Sequence, residues 1–472
     1  PLAIELAASQ AKLFPLPALA RKLEHSMEAL PDGPRDVPAR QRTLQATIGW
    51  SYDLLKTTEK RLFGRMAVFG GSATLEAVER VCGVDLTGKV SDVLFALVNK
   101  NLIFTREGKD GELRFWMLET IRDYSGRLLR TSGEYEILRQ RLIEYFADLA
   151  EKYEKEIHGP RHVYWNARMH AEHNNLTPIL ESELPDPWPI ARLRVIAGLA
   201  EHWFINARRD NMHWLTPALQ LAMDAPVDLR ARVLQTAGEI YRYLGDQTRS
   251  EELLRSALAL FEQIGDKRNA AWTMAYLSAA LDNQFPDNLH FAQKSLEIFR
   301  KCEDQAGTSK SLTSLGELAR IQGDFVTAEA CYKESLLYSL QIGERFRDSV
   351  QYNNLSFISF RRGEYQKAVE YSLRGLKILL EMGIPDVSTW LYSLAGPTAA
   401  LGNPQKAARL LGAAQSQLDS AGVELQTADR QDAQLIISAT RKALDADTWQ
   451  QSWQAGYSMT PQQAIEFALQ GH

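Results

Sequence analysis

At 472 residues the chain is longer than one hydrophobic core ordinarily serves, so several domains, or a repeat array with additions, are expected. A formal net charge of −5 and a pI near 6.1 exclude a global field that would favour nucleic acid or an anionic membrane. A hydrophobic content of 45% excludes a disordered chain.

The chain opens at Pro1 without an initiator methionine or the basic flank of a signal peptide, and it reads as a fragment of something longer. Residues 1–42 hold two short amphipathic helices, the second, 17–30, beginning with a proline suited to a first helical turn. The stretch PDGPRDVPARQ, 31–41, marks a domain boundary by its prolines and glycine. Residues 43–130 then read as a winged helix. Leu44, Ile48, Tyr52 and Leu55 form one helical stripe, and Leu62, Phe63, Met66, Ala67 and Phe69 form a second that Gly70 and Gly71 stop. A third helix, 74–82, ends at Gly83, and a fourth, 90–100, turns Val93, Leu94, Leu97 and Val98 inward. The period then changes to two: residues 102–105 and 113–116 flank the glycine-rich EGKDG, which predicts a β-hairpin. A recognition helix needs cations or amides facing phosphates and base edges. Residues 90–99 contain no Lys or Arg and offer only Asp92 and Asn99, with Lys100 at the end, so no direct DNA contact is expected from them. Gly83 to Lys89 satisfies G-x-x-x-x-G-K, but Val90 stands where Ser or Thr should ligate magnesium, and a helix precedes it instead of a strand. It reads as a surface loop.

Residues 131–225 read as a helical linker domain. His170, Glu172 and His173 share about one helical turn, yet no second motif completes a metal site, and a polar helix face is the reading. Pro185, Pro187 and Pro189 mark a boundary, after which helices carrying Trp203 and Trp214 lead into an array as an atypical first copy. The array, 226–425, is stated most fully in SLTSLGELARIQGDFVTAEACYKESL, 311–336: a helical period, a break at Gly323-Asp324, and the period resumed. The same turn returns at Gly245, Gly363 and Gly402, and a second mark between hairpins falls at Gly265, Gly343 and Gly383, with Cys302-Glu303-Asp304 in the missing place. Small residues align in two columns, Gly238, Gly316, Ser356 and Ala395, then Ala257, Ser335, Gly375 and Ala414, as close helix contact requires. Repeat two is degenerate, with a proline-bearing turn at 282–288. Residues 426–472 give closing helices, with Thr460 as an N-cap ahead of Pro461. Cys82, Cys302 and Cys331, on predicted helices, have neither CxxC nor Cys/His spacing, which fits a reducing, cytoplasmic home. No apolar run reaches the roughly 18 residues that span a bilayer. The fold class expected is mainly all-α: a winged helix with a small hairpin, then an α-solenoid.

The array resembles the tetratricopeptide repeat in Leu315-Gly316, Ala328 and Tyr332, and again in Leu355, Tyr365 and Ala368. PARQRTLQATIGWSYDLL, RLFGRMAVFGG and RFWMLETIRDYS resemble the winged-helix segment of the STAND signal-transduction ATPases, especially the LuxR-like and SARP-like bacterial regulators. The resemblance covers nearly the whole chain and implies an upstream, NB-ARC-like nucleotide-binding domain of the parent protein that carries ATP or ADP, with 1–42 as its remnant and effector-driven oligomerisation. It places Pro1 against the adenine ring. Met117-Leu118-Glu119 falls where relatives carry Met-His-Asp, so Leu118 replaces a nucleotide-touching histidine.

The function this implies is a non-enzymatic sensor and scaffold, binding a protein, peptide or small effector and coupling it to a nucleotide-driven switch; no cofactor is expected in the fragment. The alternative is a DNA-binding winged-helix regulator with a repeat tail. No HExxH, GxSxG, paired Cys and His, or glycine-rich loop after a strand supports an enzyme. First helices of stacked hairpins line the inner surface. Counting from the small column places Glu239, Arg242 and Tyr243, then Glu317, Arg320 and Ile321, then Phe357, Phe360 and Arg361 on the groove, joined by Asn353 and Asn354. Arginines beside amides are expected there to grip an anionic group of the effector in bidentate fashion.

Overall fold

The computed structural model describes residues 44–181, 187–205, 213–281, 284–384 and 386–470. The helices expected before residue 43, and Pro1 and Pro185, lie outside the described residues. The described chain falls into two compact units: one runs to residue 149 and includes 167–192, and the other joins 150–166 to 193 onward. The segment expected as one linker domain, 131–225, is thus shared between both.

In the first unit, helices α1 (Leu44–Asp53) and α2 (Thr57–Met66) precede strand β1 (Ala73–Thr74), and α3 (Leu75–Cys82) and α4 (Val90–Asn99) lead into β2 (Phe104–Glu107) and β3 (Leu113–Trp116). The sheet order is β1-β3-β2, antiparallel throughout, with Phe115 opposite both Ala73 and Thr105. This is a winged helix with three strands where the sequence suggested two, because a two-residue strand shows no alternation to read. The first hairpin strand begins at Phe104, and Leu102 and Ile103 before it are buried, as are Leu62, Phe63, Val78, Leu94 and Leu97. Thr74 caps α3, its hydroxyl accepting from the Ala77 amide at 3.3 Å. Helix α5 (Glu119–Thr131) follows, then α6 (Tyr135–Glu156), α7 (His162–Ala171) and α8 (His173–Leu180).

The second unit continues through α9 (Pro189–Gly198), α10 (Ala200–Ile205) and α11 (Leu215–Ala222) into five helical hairpins: α12 (Val227–Tyr243) with α13 (Gln247–Ile264), α14 (Lys267–Ala280) with α15 (Asp287–Lys301), α16 (Gln305–Ile321) with α17 (Phe325–Ile342), α18 (Arg345–Arg361) with α19 (Tyr365–Met382), and α20 (Ser388–Ala400) with α21 (Pro404–Ala421). Asp246, Asp266, Asp304 and Asp324 each cap the following helix by accepting an amide proton three residues on. The marks between hairpins are left-handed residues: Gly265, Gly343, Gly383 and Gly422 have φ between 65° and 76°, and Glu303 takes the same region at 55° in the one place lacking glycine. Cys302 closes α15, whereas Cys82 and Cys331 lie within helices.

The small columns sit where helices touch. A Cβ on Gly316 would lie 2.5 Å from the Tyr332 ring, and one on Gly238 2.6 Å from Leu254. Where a column holds serine, hydroxyls bond across the contact: Ser356 to Ser372 at 2.7 Å and Ser309 to Ser335 at 2.8 Å, with Ser372 bonded on to Ser393 at 2.9 Å. Such residues let helices approach while these buried hydroxyls keep a partner, although the Ser278 hydroxyl of repeat two has none among the described residues.

Of the closing helices, α23 (Ala446–Tyr457) and α24 (Pro461–Leu469) pack on α21, and Thr460 completes a capping box with Gln463. Helix α22 (Thr427–Lys442) does something else. It also lies along α16 and α20, the inner helices of the array.

Candidate functional site

Because α22 and the residues before it fold back along the inner helices, a cavity of about 250 Å³ remains inside the repeat unit. Its walls come from α12, α14, α16, α18 and α20, with His158, Glu201, Asp386 and the segment from Val423 to Asp429 completing the enclosure. Aromatic faces are contributed by Tyr243, Trp272, Tyr276, Phe346 and Trp390. Two are fixed by partners: Trp272 stacks on the His158 ring at 5.4 Å, and the Trp390 indole donates to the Ser349 carbonyl at 3.1 Å.

Charges in the wall fall into engaged and unengaged groups. Arg242 donates to both carboxylate oxygens of Glu239, at 2.6 and 2.9 Å, and to Gln426 at 2.6 Å. Glu344, fully buried behind the wall, holds Arg347 at 3.1 Å and His158 at 3.2 Å. Burial alone would lower the His158 pKa, but the Glu344 charge and hydrogen bond outweigh it and raise it. Lys310 and Glu317 have no hydrogen bond or ion pair among the described residues; the Lys310 ammonium lies 5.5 Å from the centre of the Tyr276 ring. Burial pushes the Lys310 pKa down and the Glu317 pKa up, each toward its neutral form. Asn353 and Asn354 are each 3% exposed, and neither side chain makes a hydrogen bond among the described residues.

Six of the eleven residues expected to face the groove line this cavity: Glu239, Arg242, Tyr243, Glu317, Asn353 and Asn354. The other five, Ile321 among them, do not. Arg320 is buried, pairs with Asp429, lies 3.7 Å from Asp432, and stacks over the Phe357 ring at 5.0 Å. Arg361 lies 3.6 Å from Asp432 and over the Phe325 ring, Phe357 is fully buried, and Phe360 packs beside Tyr365. Helix α22 therefore supplies the acids that these arginines were expected to find on an effector. Residues the sequence count missed include His158, Trp272, Tyr276 and Lys310. Tyr276 and Ala279 flank Ser278, the small residue of repeat two, so extending the count through the degenerate copy would have found them.

The first unit has its own polar centre. Arg114 of β3 is wholly buried and donates to Ser72 Oγ at 2.8 Å, to the Ser72 carbonyl at 3.0 Å and to Glu172 at 2.7 Å, with Asp110 of the hairpin tip at 3.3 Å. Glu172 also accepts from Asn175 at 2.6 Å, and Arg168 donates to Thr74 and Tyr145. Glu172, between the exposed His170 and His173, is thereby an ion-pair partner of the hairpin. A family model described as a winged helix-turn-helix domain matches residues 55–130.

Residues 55–130 are a winged helix-turn-helix domain. Its third helix, α4, exposes Asp92, Phe95 and Asn99, while Lys100 is paired to Glu59 at 2.5 Å. The wing is pinned through Asp110 and Arg114 to α7 and α8. Leu118 is exposed at the start of α5 and has no polar group for a nucleotide phosphate. The Gly83 to Lys89 segment joins the domain's second and third helices. Over 388 residues, 79% of this chain, the sequence is 28% identical to proteins of Mycobacterium tuberculosis and Mycobacterium bovis named, provisionally, as HTH-type transcriptional regulators. Over 138 residues it is 33% identical to an uncharacterized M. tuberculosis protein, covering 28% of this chain and 35% of that one. The chain spans about 43% of the length of the regulators. Among solved structures, a STAND protein with a tetratricopeptide repeat sensor from Pyrococcus horikoshii aligns over 96% of this chain and 72% of its own at 16% identity and a TM-score of 0.44. BtubC from P. vanneervenii aligns over 51% of this chain and 92% of its own at 17% identity and a TM-score of 0.33. Among the described residues no helix is long and apolar enough to cross a membrane.

Proposed function

We propose that this chain is the regulatory part of a larger STAND-type transcriptional regulator, itself non-enzymatic, whose repeat cavity takes a small effector. The winged helix-turn-helix domain would couple effector binding to a nucleotide-driven switch in the preceding part of the protein. The names of the mycobacterial relatives support the regulatory role. The sequence resemblance at PARQRTLQATIGWSYDLL and RFWMLETIRDYS supports the STAND assignment.

One observation carries the sensing role: two buried asparagine amides and the half-buried Lys310 and Glu317 side chains line one cavity without hydrogen-bonding partners among the described residues. An unmet buried polar group costs about 1–3 kcal/mol, a cost that a ligand supplying the missing partners would offset. Enclosure by the Val423 to Asp429 segment suits a small molecule better than a folded protein. Equilibrium dialysis against the small-molecule fraction of a bacterial extract tests this, with Ala279→Trp to fill the cavity. A compound enriched by the natural protein and lost from the variant supports the reading; equal enrichment by both places the effector elsewhere.

The winged helix-turn-helix domain is read as a packing and coupling element because α4 exposes an acid and a phenylalanine and its terminal lysine is paired. Direct DNA binding would instead give an affinity for arbitrary duplex that falls linearly with salt on logarithmic axes.

A further inference from the structure

Lys310 and Glu317 lie seven residues apart on α16 and both face the cavity, two helical turns or about 10 Å along the axis. They are not within ion-pair distance of each other, and the neighbouring cations are already matched: Arg242 by Glu239, and Arg347 with His158 by Glu344. Lys310 is thus the one cation of the wall without an ion pair among the described residues, while Glu317, Glu201 and Asp386 are wall acids without one, Glu317 sharing α16 with Lys310. A neutral ligand would strip water from Lys310 and Glu317 and return nothing, and a ligand of one sign would leave the other charge dehydrated. A ligand with a carboxylate at one end and an ammonium at the other meets both.

The spacing constrains its length. The α-ammonium and α-carboxylate of a single amino acid are too close together to approach both residues, whereas two extended residues span about 7 Å, and the flexible Lys310 and Glu317 side chains cover the remainder. Asn353 and Asn354 of α18 line the same cavity, the Asn353 amide oxygen an unused acceptor and the Asn354 amide nitrogen an unused donor. A peptide group offers the matching acceptor and donor. Trp272, Tyr276 and Phe346 would cover the hydrocarbon of its side chains.

We propose that the cavity binds a short peptide of two or three residues with both termini free, its carboxylate on Lys310, its ammonium on Glu317 and its backbone on Asn353 and Asn354. The proposal rests on the reading of the cavity as the effector site.

The test is calorimetric titration of the whole chain with a pooled tripeptide library, and with the same pool N-acetylated or C-amidated. The expected result is binding of the free pool and a loss of roughly tenfold or more on blocking either end. Lys310→Met should abolish the distinction between free and amidated carboxyl ends while keeping the distinction at the amino end, and Glu317→Gln should do the reverse. A merely structural role for either residue would move both distinctions together. Equal affinity for free and blocked pools overturns the proposal. So does binding confined to a neutral trisaccharide or a dicarboxylate and lost in Ala279→Trp, which leaves the cavity as the effector site and removes only the peptide. No binding by any probe overturns the proposal, and a dialysis that also finds nothing removes the cavity reading with it.

Discussion

In the winged helix-turn-helix unit the buried Arg114 is surrounded by Ser72, Asp110 and Glu172, whereas in the repeat unit the Lys310 and Glu317 side chains face a cavity without a hydrogen bond or ion pair among the described residues. Arg114 is buried outright, where burial costs several kcal/mol per ion unless geometry and hydrogen bonds compensate it, whereas Lys310 and Glu317 are half-buried at the cavity wall. The first arrangement therefore fixes one structure, pinning the wing to α7 and α8. The second sets two charged side chains at a cavity wall without a hydrogen bond or ion pair among the described residues, and the proposed effector site rests on that difference.

That contrast predicts its largest effect at Arg114. Arg114→Ala leaves Asp110 and Glu172 without their principal cation and should destabilise the first unit by about 3–5 kcal/mol, read as a fall in urea midpoint. In the repeat unit, Gly316→Leu drives a side chain into Tyr332 and should cost up to about 3 kcal/mol; an unchanged melting curve would remove the close crossing of α16 and α17. Glu134 comes next. Its hydrogen bonds to Arg65 and Arg61, at 2.7 and 2.6 Å, outweigh burial and bring its pKa down to about 2. A carboxylate more acidic in the folded state stabilises at neutral pH, and this contribution is lost as pH falls from the ordinary carboxylate range through about 2. With its side chain 23% exposed, the loss should be on the order of 2 kcal/mol, and Glu134→Gln should flatten that part of the acid-unfolding curve. The smallest effect has the opposite sign. Glu303 occupies the left-handed place that glycine holds elsewhere, so Glu303→Gly should raise stability by up to about 1 kcal/mol in a melting experiment.

What could be read from the sequence follows the same division. Turn glycines, aspartate caps and small columns are local signals, and the hairpins begin and end where these residues stand. Strand β1 was not legible, because two residues carry no period. Arg320 and Arg361 were counted onto an inner face, but what meets them is Asp429 and Asp432 of α22, and Arg320 and Asp429 are 109 residues apart in sequence. No local pattern announces that α22 folds back along the inner helices. For the same reason the count reached Glu317 and the two asparagines but not His158, which arrives from a distant segment.

The most direct test compares the two units in one measurement: urea unfolding of the ligand-free chain with Lys310→Met and, separately, Arg114→Met. If Lys310 is kept unpartnered for a ligand, removing its charge relieves a deficit and should raise the repeat-unit midpoint by an amount on the order of 1 kcal/mol, while Arg114→Met lowers the midpoint of the first unit. A fall in both would contradict the account, because it would mean that Lys310 is as fully engaged in the empty protein as Arg114 is.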